Sequence, residues 1–293
     1  MYVNFGDNQL GVFDSSNVAR DLIGVPVFSA SHAYSAGNAV VYSGGLYVAL
    51  GAVPAGTFNP AQWAHLTGAQ KTLSMKFTAF TASGTYTPSA GLVSATLEAI
   101  AGGGGGGAVL STANTQWNGA GGGSGGYSRA LKTAAQLGAS QAITIGPGGQ
   151  GGYGGSYDGY GGGDTSIGSL CVAHGGVGGG HAETSVIPAG GAGGAPGTGD
   201  IAMGGNAGEG CLYNGNVSSV GVAGQFGRGG PGPFGGGPAA AGPYPGGAGA
   251  INGPNGGQYG AGGSGGSTVA GGGFASGGSG TNGVAFITEF IMS

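Results

Sequence analysis

Ile143-Thr144-Ile145-Gly146-Pro147-Gly148-Gly149-Gln150-Gly151-Gly152 decides how this chain is read. Its first three residues are branched and strand-like; from Gly146 onward side chains almost vanish. Gly recurs at 146, 149, 152 and 155, and a second set at 148, 151 and 154 sits beside the first, leaving one side chain in every three residues. A polyproline-II helix has three residues per turn, so Gly at every third place bares one edge of its backbone. Such helices can pack side by side, held by N–H···O=C bonds and Cα–H···O contacts between neighbours instead of by side-chain burial. The same spacing occurs at Gly221, Gly224, Gly227 and Gly230, and at Gly257, Gly260, Gly263 and Gly266.

The composition extends that reading to most of the chain. Gly supplies 80 of 293 residues, with 11 in residues 1–100 and 69 in 101–293. Fixing a backbone costs about 1–2 kcal/mol per residue, most of all for Gly. A long Gly-rich region therefore either stays disordered or packs backbone against backbone. Low charge (5%) with 39% apolar residues argues against disorder. The irregular Gly spacing and 13 Pro argue against collagen. The longest uncharged apolar stretch, Ala39 to Gly56, is broken by Gly44-Gly45 and Pro54, so no membrane insertion is expected. Met1-Tyr2-Val3-Asn4 carries no basic segment and no hydrophobic run of a secretion signal. A net charge of −4 without a basic patch argues against nucleic acid. Cys171 and Cys211 give no disulfide framework and read as reduced thiols of a protein made in a cytoplasm.

Strands frame the Gly-rich region. Leu73–Thr81, Leu92–Ala101, Ala142–Ile145, Ser166–Val172 and Val284–Ile291 are strand-like. Val93, Ala95, Leu97 and Ala99 alternate with Ser94, Thr96, Glu98 and Ile100, and Phe286 and Phe290 alternate with Ile287 and Ile291. Period two in this setting predicts a β-sandwich or collar whose last strand returns to pair with the first ones. Everything between is an excursion that leaves the collar and comes back. The expected fold is mainly β with Gly-rich polyproline-II helices: a small three-stranded module, then a sandwich or collar carrying a packed polyglycine-II-like tip.

The first third holds shorter elements. Asp14-Ser15-Ser16 reads as the cap of a brief helix from Asn17 to Leu22, ended by Gly24 and Pro26. Ala39–Tyr42 and Leu46–Leu50 read as a hairpin joined at Ser43-Gly44-Gly45. Tyr34, Gly37, Tyr42, Gly45, Tyr47, Pro54 and Trp63 follow a spacing that resembles the chitin-binding-like carbohydrate-binding module of bacterial chitinases and phage tail proteins, with Asn38 where that family usually has Asp. The resemblance spans roughly 40 residues. It implies sugar stacking by Tyr34, Tyr42, Tyr47 and Trp63; a module this small also needs such rings as its core.

A second resemblance covers residues 71–293. Gly84-Thr85-Tyr86-Thr87-Pro88-Ser89-Ala90-Gly91, Gly102 to Gly107, the stretch from Ile143 to Gly152 and Asp164-Thr165-Ser166-Ile167-Gly168 look like the glycine-rich domain of phage tail fibre and adhesin proteins. Ser89 intervenes where that family reads Pro-Ala-Gly. The resemblance implies a virion protein at the distal end of a fibre, usually a homotrimer, with loops between the helices touching the host surface. Three regions follow: 1–26 as a virion-attachment arm binding other tail or fibre proteins, 27–70 as the sugar-binding-like module and 71–293 as the tip. The expected partner is host surface polysaccharide or an outer-membrane protein. A head fibre or decoration protein without receptor binding, and a polysaccharide depolymerase, are the alternatives.

Within the tip, Tyr153, Tyr157, Tyr160, Tyr244 and Tyr259 are the candidate contact residues. Tyr gives large contact area at low entropy cost and a hydroxyl for polar partners. No catalytic residue is assigned and no enzyme activity is expected: Asp158, Asp164, Glu183, Asp200 and Glu209 each read as turn residues or caps. No cofactor is expected. Cys171, His174 and His181 lack a zinc-finger spacing, so no metal site is assigned.

Overall fold

The computed structural model describes residues 25–66, 72–111, 117–154, 157–182, 187–211, 227–238, 249–268 and 272–292, together with the backbone of 3–4, 11–13 and 19–21. The chain forms two compact units, Met1–Lys71 and Thr72–Ser293. It is mainly β with very little helix.

In the first unit, β1 (Val3–Asn4), β2 (Gly11–Phe13) and β3 (Ala19–Asp21) form an antiparallel sheet. The brief helix expected through Asn17 to Leu22 is therefore corrected. Phe13 pairs with Ala19 and Val12 with Arg20, and this pairing takes the backbone groups that a helix would have used. The expected cap, Asp14-Ser15-Ser16, lies outside the described residues.

A second sheet holds β4 (Ala39–Tyr42), β5 (Gly45–Ala49) and β6 (Trp63–His65) in that order. Its hairpin turns on two residues, Ser43 (φ 46°) and Gly44 (φ 78°), the doubly positive φ of a type I′ turn that matches strand twist. Gly45 belongs to β5, where a Cβ would meet His65 Nε2 at 2.7 Å and the Tyr47 ring at 2.8 Å. Tyr34, Val40, Ala49, Val53 and Trp63 form the core, with Phe28, Tyr47 and Phe58 packed against it. Asn38 performs the turn role open to Asp: its Oδ1 accepts from the Ser35 N–H at 2.8 Å.

The second unit contains β7 (Leu73–Phe80), β8 (Gly84–Tyr86), β9 (Leu92–Ile100), β10 (Val109–Ser111), β11 (Trp117–Asn118), β12 (Tyr127–Thr133) and α1 (Ala134–Leu137). It continues with β13 (Gln141–Thr144), β14 (Thr165–Ile167), β15 (Cys171–Ala173), β16 (Ile201–Met203), β17 (Ala250–Ile251), β18 (Ser267–Thr268), β19 (Gly273–Ala275) and β20 (Val284–Met292). A five-stranded antiparallel sheet, β16-β12-β9-β20-β7, faces a four-stranded one, β15-β14-β13-β8. Ala95, Leu97, Ala99, Ala130, Ala285 and Ile287 from the first sheet share a core with Tyr86, Ile143, Ile167, Cys171 and Ala173 from the second. The last strand does return to the first ones, pairing with both β7 and β9.

Two strand readings change. Ser166–Val172 is a hairpin, not one strand: Gly168 takes the left-handed φ of 53° and turns β14 into β15. The strand β12, between β16 and β9 in the large sheet, was not expected. Its inward positions are Ser128 and Ala130, both buried, while Leu131 faces out, so hydrophobicity does not mark its buried side.

Between these strands the chain runs in segments that are neither helix nor strand, and backbone hydrogen bonds tie them together with a period of three. Along 102–108, Gly102, Gly105 and Ala108 donate to Gly163, Tyr160 and Tyr157; Gly103 and Gly106 donate to Thr281 and Gly278; Gly104 and Gly107 donate to Gly123 and Ala120. Along 119–126 the same rotation reaches Gly266, Gly263 and Gly260, then Gly180, Val177 and His174, then Glu209 and Asn206. Each segment thus donates to three neighbours in turn, and all of 101–109 and 117–126 is buried. A Cβ on Gly105 would lie 2.1 Å from the Gln150 carbonyl oxygen, and one on Gly107 would lie 2.0 Å from that of Gly180. No residue other than Gly fits such a position without moving a neighbouring backbone.

The three Gly runs do not all share this role. A Cβ at Gly146, Gly149 or Gly152 would strike the carbonyl oxygen of Gly163, Tyr160 or Tyr157, one neighbour contacted every third residue. Gly257 has open space and Gly260 makes a turn at φ 75°, so the last run becomes a packed edge only from Gly263. Gly155, Gly221 and Gly224 lie outside the described residues.

Candidate functional site

The hydrogen-bond register gives the Gly-rich region two ends. Residue 101 follows β9 and residue 126 precedes β12, so these positions adjoin the sandwich, while 108 and 119 lie at the far end. At that far end β10 pairs with β19, and β11, β18 and β17 form a small sheet. Val109, Trp117, Ala182 and Ala275 make a small apolar cluster beneath them.

Large side chains stand exposed there. Tyr153 and Tyr157 are 72% and 60% exposed, and Leu110 and Phe274, opposite each other across the β10–β19 pair, are also exposed. The Tyr153 ring meets that of Phe274 edge-on, with centroids 5.7 Å apart. Tyr160, 64% exposed, sits three residues after Tyr157, and the two backbone carbonyls accept from Gly105 and Ala108 of one neighbouring segment. This shared direction places both Tyr along one side of segment 157–164. Period three explains the rest of that segment too: Gly159 and Gly162 abut the carbonyls of Gly105 and Gly102, and Asp158 and Asp164 reach towards segment 174–181.

Those two carboxylates act as clamps between segments. Asp158 Oδ1 accepts from the His181 backbone N–H at 2.8 Å and lies 2.6 Å from its Nδ1. Asp164 Oδ1 accepts from the Gly175 N–H at 2.9 Å, and its Oδ2 lies 2.9 Å from His174 Nδ1. Partial burial pushes both carboxyls up, but the hydrogen bonds and the facing imidazoles outweigh it and hold both below the usual carboxylate range. Asp200 accepts from the Leu131 N–H and from Lys132 Nζ. Glu209 is exposed, and Glu183 lies outside the described residues.

Cys171 is in the sandwich core, where burial pushes its thiol up to about 12. The structure therefore keeps it apart from His174 and His181, which each face a different aspartate. Among the described residues no group of three or more His, Cys, Asp or Glu is placed to hold a metal ion. No helix of the described residues is long and apolar enough to cross a membrane.

The remaining candidates are dispersed. Tyr259 lies beside the turn at Gly260, which abuts Ile100 and Ala101 at the sandwich end, away from Tyr153 and Tyr157. Tyr244 lies outside the described residues. In the first unit Tyr34 and Trp63 are buried: Tyr34 stacks on Phe28 and Trp63 on Phe58, so their faces serve the core. Tyr42 keeps an exposed edge while stacking on Phe58 at 3.9 Å, and Tyr47 stacks on His65 at 4.5 Å. Tyr42 and Tyr47 are thus the rings of the sugar-module pattern that reach the surface. Leu110 and Phe274 were missed from sequence. Their signal is a bulky apolar residue in a short strand facing another such residue, and pairing reveals that where composition does not.

The sequence matches no family model and no curated protein.

Proposed function

We propose that the chain is a receptor-binding adhesin of the bacteriophage tail-fibre type, which acts by binding a host surface and not by catalysis. The observation that carries this reading is the far end of the Gly-rich unit. Tyr153, Tyr157, Leu110 and Phe274 are exposed together on a body whose interior is closed mainly by backbone, and they stand outside the small buried cluster of Val109, Trp117, Ala182 and Ala275 at that end. Clustered exposed aromatics that the core does not use mark contact surfaces. The segments behind them read as polyglycine-II helices. Period-three donation to three neighbours and carbonyl oxygens that a Cβ would strike at most Gly of these segments both support that assignment. Many interlocking backbone bonds would make the tip a stiff platform, and a stiff platform loses little entropy when its surface groups bind.

On this reading residues 1–26 join the chain to other fibre proteins in the virion, the module of residues 27–70 acts as a sugar-binding element or spacer, and the working form is a homotrimer. The partner is a polysaccharide or protein of the host surface, because Tyr rings stack on sugar C–H faces and on apolar side chains alike.

Adsorption measurements test the reading. Fluorescently labelled protein is mixed with a panel of bacterial cells and with immobilised bacterial polysaccharides. The parent is expected to bind a subset of them. Joint replacement of Tyr153, Tyr157 and Tyr160 by Ser should abolish that binding and leave thermal melting unchanged. Full adsorption by a well-folded triple variant would falsify the far end as the contact surface.

A further inference from the structure

The large sheet of the sandwich has a second face that its core does not use. Cross-strand pairing places Thr288 opposite Phe77, Phe290 opposite Met75 and Met292 opposite Leu73, all on the side away from Leu97 and Ile287. The same side carries Leu131 of β12, and Ile201 and Met203 of β16. Leu73, Met75, Phe77, Leu131, Ile201 and Met203 are all more than half exposed. Phe286, in the middle of this face, stacks on Phe77 at 5.7 Å and meets Phe234 edge-on at 5.9 Å.

The exposed side chains form two apolar strips, Leu73, Met75 and Phe77 at one edge of the sheet and Leu131, Ile201 and Met203 towards the other, with Ser94, Thr96 and Glu98 of β9 between them. Two exposed apolar strips on one sheet face mark an interaction surface rather than scattered surface residues. Charge then selects the occupant. The face presents one acid and one base, Glu98 and Arg129, and they stand opposite each other in register. Glu98 also accepts from the Tyr127 hydroxyl at 2.5 Å. Such a face has no net charge with which to attract an anionic polymer or a charged membrane surface. Its match is another flat, apolar, neutral sheet, and a second copy of this chain supplies one. Interfaces between identical chains are also the more apolar kind.

We infer that the outer face of the β16-β12-β9-β20-β7 sheet is the surface on which copies of this chain pack against one another. Three such faces turned towards a common axis close a triangular prism, so the inference assigns a surface to the homotrimer of the proposed function. It rests on that reading only for the number three.

Sedimentation equilibrium of the full chain at micromolar concentration tests it, and mass is read independently of any cell binding. The parent should run at about three times the chain mass. Phe77→Lys together with Leu131→Lys should run at the chain mass with an unchanged circular dichroism spectrum, because both positions are exposed in the single chain. A nitroxide on Leu131→Cys gives a second readout, since Cys171 and Cys211 are buried. Its spectrum should be immobilised in the otherwise parental protein and become mobile when Phe77→Lys is added. A monomeric parent, or a double lysine variant that keeps the parental mass, would overturn the inference. Loss of cell adsorption with assembly intact would instead count against the adhesin reading alone.

Discussion

The sandwich and the Gly segments are joined by the same strands, yet they are built on opposite rules. In the sandwich, Leu97, Ile143, Ile167 and Ile287 fill the space between two sheets, and the interior is made of side chains. In segments 101–108 and 119–126 the interior is made of peptide groups, each bonded to a neighbour in one of three directions. One region loses stability when carbon is removed and the other when carbon is added. Burial in the sandwich releases water from apolar surface. The Gly segments gain mainly by satisfying N–H and C=O groups without it.

The most severe break of this comparison adds side chains at a central Gly. In Gly105→Val the first added carbon would lie 2.1 Å from the Gln150 carbonyl, in a segment with neighbours on every side. The cost should exceed about 4 kcal/mol, the range reserved for disrupted interiors. Differential scanning calorimetry should show the second unit failing to melt as one transition. Gly257→Ala is the control, since its Cβ would meet nothing within 4 Å, and it should melt like the parent. Equal melting of the two variants would mean that close backbone packing does not hold the region together.

The reciprocal break removes carbon from the sandwich. Leu97→Ala, at a fully buried position between the sheets, should cost about 2–5 kcal/mol in denaturant unfolding. The heat capacity sharpens the contrast. Exposing apolar surface raises it and exposing polar surface lowers it, with about 12–15 cal/mol/K per residue as the ordinary net. A unit in which peptide groups replace much of the core should fall well below that value, and calorimetry that returned the ordinary figure would show hidden apolar burial.

A third test acts at the edge of the sandwich. The Glu289 side chain is 1% exposed and accepts from the Tyr86 hydroxyl at 2.9 Å, from the Ser89 N–H and hydroxyl at 2.8 Å each, and pairs with Lys76 Nζ at 3.3 Å. Tyr86 belongs to the smaller sheet and Lys76 and Glu289 to the larger, so one carboxylate ties both. Burial pushes its carboxyl up; the donated hydrogen bonds outweigh that and hold it below the usual carboxylate range. Glu289→Gln should cost about 1–3 kcal/mol in chemical denaturation, because a donor replaces an acceptor in a buried network. An unchanged midpoint would show that the network is not needed to join the sheets.

Glu289 also shows where legibility stops. The alternation in Leu92–Ala101 was readable because apolar Ala95, Leu97 and Ala99 line the buried side while Ser94, Thr96 and Glu98 face the other way, and the return of the last strand was readable too. The period of three in Gly146, Gly149 and Gly152 was readable because each position faces the same neighbour. In β12 the buried side chains are as small as the exposed ones are large, so pattern points the wrong way. Ser89 interrupts the expected Pro-Ala-Gly, and only the fold shows that its N–H and hydroxyl both serve a carboxylate 200 residues away. For the candidate site, Tyr153, Tyr157 and Tyr160 stood out by their number in a Gly-rich stretch. Separating Tyr259 from them required knowing which end of each segment adjoins the sandwich.

The smallest expected effect tests whether side chains contribute to the Gly region at all. Asp158 and Asp164 have carboxyls held below their ordinary range, so each is bound more favourably as an anion in the folded chain than in the unfolded one. The stability they add is present above the unfolded carboxylate value of about 4 and is lost as pH falls through the lower folded value. Both side chains are largely exposed, which limits each contribution to a fraction of a kcal/mol to about 1 kcal/mol. Asp158→Asn should therefore lower the melting temperature by a few degrees at most at pH 7. The difference from the parent should shrink below pH 4, because the parental carboxylate is then also neutral. A difference that stayed constant down to pH 2 would assign the effect to the shape of the side chain and not to its charge. The Gly segments would then depend on backbone bonds without help from these clamps.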